Sequence, residues 1–341
     1  MGHRLRSLLF LLLLCSVPVA AEDRLAVLEF FGRPEGTFCS AAGPAMTALQ
    51  NEMSGTAVLL EYDYDAFPFG RQDRFWATGA SATYLPLVMV GSGYRTSSGS
   101  VDYERVYRSM INDELSRPAR AEISAYWRRR NNSMRVYVEV RNLGNTELEL
   151  DREASTWLIA YEDPSSEGVG LTWVRSTVQR ALPYDLAPGE SVTDVIDSTP
   201  MSGVSWDRMA GLVVVEDRPG GSGAYDMLQA TVALPAALSA APELLEMDRR
   251  GPAAEVELTG PHVVSWSATC DVPWIEVTPT SGALPSTVTL TLRPELQPPL
   301  ENHGRVSFSA EGDGMEFETS VEVSVSGLHR RGDVRRSGPQ R

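Results

Sequence analysis

The side chain with the most distinctive chemistry is Cys39, in the run Gly36-Thr37-Phe38-Cys39-Ser40-Ala41-Ala42-Gly43-Pro44 between a short apolar segment and the first segment with helical spacing. A thiol at a helix entrance is stabilised as thiolate by unpaired backbone N–H groups and the helix dipole, which makes it a nucleophile. A dithiol oxidoreductase also needs a second thiol three residues on, to release the mixed disulfide formed in the first attack. That position is Ala42. Two functional readings follow: a monothiol reset by an external thiol, or a site that has lost turnover and serves binding. Beside them stands a plain one, a small, partly buried hydrophobe with no chemistry.

Composition removes much else. The 341 residues contain no Lys, so all 30 basic side chains are Arg. A Walker A loop, a phosphate-pairing lysine, a pyridoxal Schiff base and a Ser-Lys dyad are therefore excluded. The histidines are His3, His262, His303 and His329, which leaves the first half of the chain after its start without an imidazole to activate Cys39 or build a multi-His metal site. No metal or other cofactor is expected. Against 45 acidic residues the formal charge is −15, which argues against nucleic acid as a partner. Carboxylates such as Asp63, Asp65, Glu162, Asp163, Glu311 and Asp313 show no calcium-loop spacing.

The first 21 residues read as a secretory signal peptide: Arg4 and Arg6, the apolar run Leu8 to Leu14, and Val19-Ala20-Ala21 before Glu22. Cys15 follows Leu14, where a lipoprotein signal would place a small residue. Cleavage takes the charge to −17 and leaves Cys39 and Cys270 as the cysteines, too few for a disulfide scaffold. The expected location is the periplasm, the outer membrane or the extracellular space. No transmembrane span is expected.

Strand-like runs at Leu25 to Phe31, Thr56 to Tyr62 and Leu87 to Val90 alternate with helical spacing at 43–53 and Tyr103 to Leu115, the pattern of an α/β domain. From Pro118 the helical period vanishes. Short strands such as Ala121 to Trp127, Met134 to Val140 and Ala210 to Val215, punctuated by Pro188-Gly189 and Pro219-Gly220-Gly221, indicate a β-sandwich. Residues 235–252 suit a linker, 253–327 carry six further strands, and 328–341 hold five Arg without apolar pattern, a basic disordered tail containing an Arg331-Gly332-Asp333 triplet. Arg128-Arg129-Arg130 reads as solvated turn charge, or as contact with an anionic surface.

Several features in order resemble the thioredoxin-like superfamily, in particular the secreted thioredoxin-like outer-membrane proteins in which such a domain precedes a β-sandwich. They are the strand Val27-Leu28-Glu29-Phe30-Phe31, Cys39, the strand Glu61-Tyr62-Asp63-Tyr64-Asp65, Phe69-Gly70-Arg71, Arg74-Phe75-Trp76 and Tyr84-Leu85-Pro86-Leu87-Val88-Met89-Val90-Gly91. The resemblance implies that Pro86 is a cis-proline, that Glu29 is a buried proton acceptor for Cys39, and that Leu85 and Pro86 line a groove for an extended peptide or protein. Read alone, Glu29 is a strand carboxylate facing solvent. Further on, Ser265-Trp266-Ser267-Ala268, Val272-Pro273-Trp274-Ile275 with Pro279-Thr280-Ser281-Gly282, and Thr287-Val288-Thr289-Leu290-Thr291 resemble a BACON domain, an immunoglobulin-like module of bacterial extracellular proteins. It implies a glycan partner, with Trp266 and Trp274 stacking on sugar if exposed. In so small a sandwich both suit the core instead.

The expected architecture is thus multidomain: an α/β thioredoxin-like domain over 22–117 and two all-β immunoglobulin-like sandwiches over 118–234 and 253–327. The expected function is an exported, non-catalytic binding or interaction protein, the alternative being monothiol redox chemistry at Cys39.

Overall fold

The computed structural model describes residues 23–33, 35–65, 70–80, 84–163, 172–248, 253–296 and 302–326. The expected signal peptide, Phe69, the Arg-Gly-Asp triplet and the expected basic tail lie outside them. In chain order the first elements are β1 (Ala26–Gly32), α1 (Thr37–Glu52), β2 (Ala57–Asp63), α2 (Gln72–Ala77), β3 (Leu87–Val90), β4 (Arg95–Ser98) and α3 (Tyr103–Leu115). There follow β5 (Ala121–Arg130), β6 (Ser133–Asn142), β7 (Ser155–Glu162), β8 (Trp173–Ala181), β9 (Ser191–Asp197), β10 (Met209–Asp217) and β11 (Asp226–Pro235). The last are β12 (Ser239–Ala241), β13 (Leu244–Asp248), β14 (Ala253–Thr259), β15 (Ser265–Cys270), β16 (Ile275–Thr278), β17 (Ser281–Ala283), β18 (Ser286–Leu292), β19 (His303–Gly312) and β20 (Met315–Ser326).

Among the described residues, twenty strands against three α-helices make this a mostly β chain built from several sheets, and the expected α/β thioredoxin-like domain is not what forms. The first four strands do not close on themselves. They continue an eleven-stranded sheet of order β4-β3-β1-β2-β8-β7-β10-β11-β5-β6-β9. The physical reason lies on both the edge and the face of β2. Its edge accepts β8, with Glu61 N–H donating to Thr172 O at 2.8 Å and Glu61 in register with Trp173. On one face, Val27, Phe31, Leu60 and Tyr62 share an apolar cluster with Trp157, Ile159, Leu212 and Val214 of β7 and β10. Only the opposite face, with Leu28, Phe30 and Val88, is covered by α1 and α3.

β7 and β10 are buried on both sides, which is why they read as near-continuous apolar runs rather than alternating ones. The sheet folds back so that Val136, Val138 and Val140 of β6 meet Leu158 of β7 and Val213 and Val215 of β10. The C-terminal sandwich packs a four-stranded sheet, β12-β14-β18-β16, on a five-stranded one, β13-β20-β19-β15-β17. Its first strands fall inside the expected linker, for Ser239–Ala241 pairs with β14 and Leu244–Asp248 with β20. Pro242 and Ala236-Ala237 had masked that pattern.

The β19–β20 hairpin turns through Asp313 and Gly314, both at positive φ (48° and 69°), as a two-residue turn that matches strand twist requires. Its tip clamps the two sandwiches together. Asp313 accepts hydrogen bonds from Tyr137, from Arg128 Nη2 at 3.0 Å and from Arg135 Nη1 at 3.1 Å. These donors, Tyr137 foremost, hold its carboxyl down at about 2. The arginine run is thus engaged within the molecule: Arg128 on Asp313, Arg129 stacked 4.7 Å over Trp206, and Arg130 3.3 Å from Asp197.

Candidate functional site

Cys39 lies in the first turn of α1, whose chain enters from an extended Gly36. Its Sγ faces the core and is cradled by backbone: Arg33 N–H approaches it at 3.4 Å. A Cβ at Gly32 or at Gly36 would stand 3.2 Å from it, so a side chain at either position would press on the thiol. Cys39 is 8% exposed, and Ala42, one turn on, is fully buried. Tyr107 shares the same cluster, and its buried hydroxyl has no hydrogen-bond partner among the described residues. Burial, with the charges of Tyr103 and Cys39, pushes that phenol above its ordinary range.

Glu29 does not serve Cys39. Successive strand residues face opposite sides of a sheet, and Glu29 falls between Leu28 and Phe30, which face α1 and Cys39. It points into the other face, and it is fully buried rather than solvent-facing. There it meets a network whose members sequence reasoning did not bring together. Arg71 Nε lies 2.9 Å from Glu29 Oε2, Arg71 Nη1 lies 2.6 Å from Glu216 Oε2, and Arg71 Nη2 donates to Ser92 Oγ at 3.0 Å. Tyr62 OH donates to Glu29 at 2.7 Å, while Arg74 Nε and Trp157 Nε1 donate to Glu216 at 2.7 and 2.8 Å. Burial alone would raise Glu216; the guanidiniums of Arg71 and Arg74 outweigh it and hold the carboxyl below its usual value. Burial and the charge of Glu29 push Tyr62 well up. The network is an internal tie between β1, α2 and β10. It offers no free acid or base.

The carboxylate that does sit on the α1 face is Glu61. Burial, then the charge of Asp63, pushes it up to about 7 from 4.5. A raised folded-state value means that the folded chain keeps this proton more tightly than the unfolded one. The stabilisation is therefore fully present below about pH 4.5 and is lost as pH rises through about 7. We expect Glu61→Gln to remove a decline of about 1–3 kcal/mol across that window. Urea midpoints between pH 4.5 and pH 8 check it; an equal slope in both proteins contradicts it.

The Leu85–Pro86 bond is cis. The backbone on either side is satisfied: Tyr84 N–H donates to Ser98 Oγ at 2.9 Å, Tyr84 O accepts from Gly99 N–H at 2.7 Å, and Pro86 O accepts from Gly99 N–H at 3.0 Å. Leu85 itself makes no hydrogen bond among the described residues. Tyr84 is 73% exposed, and Phe38, next to Cys39, is 52% exposed. Leu85 packs on the cluster that holds Cys39, so the two sequence-derived positions do border one face.

Trp266 and Trp274 are 2% and 0% exposed, at the centre of the C-terminal core. Neither ring is exposed, so the condition for sugar stacking is not met: period-2 alternation turns Trp266 inward, between outward Ser265 and Ser267. Cys270 is half-buried and free, its thiol pushed up by burial. Among the described residues no group of His, Cys, Asp and Glu is arranged to hold a metal, and no helix is long and apolar enough to cross a membrane.

No family model matches the chain, and no curated protein does. Among solved structures, an Agrobacterium tumefaciens protein is 15% identical, with 63% of this chain and 96% of that one covered at a TM-score of 0.40. Red sea bream transglutaminase is 13% identical over 71% of this chain and 37% of its own, at 0.21. A titin fragment is 12% identical over 61% and 99%, at 0.19. Likenesses this slight carry no argument about fold or function.

Proposed function

We propose that the chain is an exported, non-catalytic binding protein whose Leu85–Pro86 face takes an extended peptide. The observation that carries this is the unpaired backbone of Leu85, set between hydrogen-bonded neighbours and beside exposed aromatic side chains. A free N–H and C=O pair is what an extended segment satisfies by adding its own backbone, while its apolar side chains pack on rings such as Tyr84 and Phe38. Export is supported by Arg4, Arg6 and the apolar run before Ala20-Ala21. The monothiol alternative is disfavoured by a thiol turned into the core, with Ala42 as its neighbour one turn on and Glu29 across the sheet.

Two measurements separate the readings. On a peptide array the full chain is expected to retain apolar extended peptides, and Phe38→Ser/Tyr84→Ser to lose them at least about tenfold. Both side chains are exposed, so the fold is kept. A blank array, or retention unaffected by the double change, sinks the peptide reading. Iodoacetamide labelling followed by peptide mapping is expected to modify Cys39 far more slowly in the native than in the urea-unfolded protein. Rapid native labelling revives thiol chemistry.

A further inference from the structure

The register of β5, β6 and β9 arranges their outward side chains in rows. The row of Arg128 and Arg135 is capped by Asp313, and Tyr137 in the next row enters the C-terminal core. The following two rows, Ser124–Glu139 and Glu122–Arg141, are left uncovered. Between them and a facing wall that includes Thr259 and His262 lies a cleft of about 580 Å³, a size ordinary for small-molecule sites and placed, as such sites often are, between two domains. The Asp313 clamp beside it fixes both walls before any ligand arrives.

Charge decides what fits. Arg141 is already engaged, with Nη1 3.6 Å from Glu122 and Nε donating to Gly189 O at 3.4 Å. The carboxylate of Glu139, half-buried in the third row, has no ion pair or hydrogen bond among the described residues. His262 does not neutralise it: burial lowers that imidazole more than Glu139 and Asp194 raise it, so it is uncharged at neutral pH. Tyr126 and His262 add two rings to the lining, and Ser124 adds a hydroxyl directly across from Glu139.

We propose that this cleft binds a small organic amine in its ammonium form, with Glu139 as counter-ion, the Ser124 hydroxyl as a further acceptor and the Tyr126 ring as an apolar and cation-attracting neighbour. An ammonium supplies what the lining lacks, a positive charge with N–H donors. A neutral polyol would leave the carboxylate uncompensated, and an anion would be repelled. The chain has no lysine of its own to occupy the site.

Titration calorimetry of the full chain with putrescine, butanediol and succinate tests this, because the three probes share a four-carbon backbone and differ in charge. Saturable binding is expected for putrescine alone. Glu139→Gln should weaken it at least about tenfold, and Ser124→Lys, which places an amine across from Glu139, should abolish it. Should Glu139→Gln fail to fold, the exposed Ser124 position decides. The proposal is overturned if putrescine shows no saturable binding, if butanediol binds as tightly, or if either variant binds putrescine within a factor of about two of the parent.

Discussion

Replacing Arg71 with methionine is expected to lower the unfolding free energy by about 3–5 kcal/mol, the usual cost of removing one partner from a buried ion network. Arg71 is almost fully buried and bridges Glu29 and Glu216, two buried carboxylates from strands at different places in the large sheet. Glu216 keeps Arg74 and Trp157 as donors, but among the described residues Glu29 keeps only the Tyr62 hydroxyl. The stranded charge at Glu29 is therefore the larger part of the loss. The double variant Glu29→Gln/Arg71→Met should recover part of it, since a neutral amide needs no counter-charge. Arg71→Lys should not rescue, because a single ammonium cannot span two carboxylates as the planar fork does. Urea midpoints at constant m-value read all three. A loss below about 1 kcal/mol for Arg71→Met would show that water reaches the network and takes over the arginine's role.

Trp274→Ala carries the second large effect, again about 3–5 kcal/mol, now from the cavity left by a fully buried ring. Trp274 has no exposed surface, and a Cβ on Gly304 would come 3.3 Å from its ring. Among the described residues its indole N–H has no hydrogen-bond partner, and packing holds the ring. Trp274→Phe should cost much less than the alanine change, since it keeps most of the packing and removes the orphaned donor. Thermal unfolding measures both. If Trp274→Ala changed stability by less than about 0.5 kcal/mol while weakening retention on a glycan surface, the ring would be a sugar platform after all.

What could be read beforehand followed from local physics. The periods of β1, α1, β2, β3 and α3, and most of the single strands beyond Pro118, were visible because alternation and 3.6-residue spacing are properties of a single segment. What escaped was everything decided by pairing between distant segments. Strands alternating with helices suggested a closed α/β unit, yet β2 finds its second neighbour at Trp173, more than a hundred residues on. Glu29 looks like any strand carboxylate until Arg71 reaches it from 42 residues away and bridges it to Glu216, which lies 145 residues beyond that arginine. Arg128 reads as turn charge until an Asp-Gly hairpin tip 185 residues later lands on it. Leu85 and Pro86 were named from a resemblance, but the unpaired backbone of Leu85 depends on how Ser98 and Gly99 satisfy its neighbours.

The rows across β5, β6 and β9 have a consequence for how this chain tolerates change. Because side chains alternate strictly along a strand, the Arg128–Arg135 and Tyr126–Tyr137 rows serve the clamp and the next leaves Glu139 in the cleft, while Val136, Val138 and Val140 look the other way into the core. A point substitution on this surface alters one function at a time. A single-residue insertion or deletion within β6 would instead exchange clamp, cleft and core together, turning Glu139 inward among valines and the valines out against the neighbouring sandwich. The same backbone that makes the surface easy to retune by substitution makes its frame impossible to shift by one.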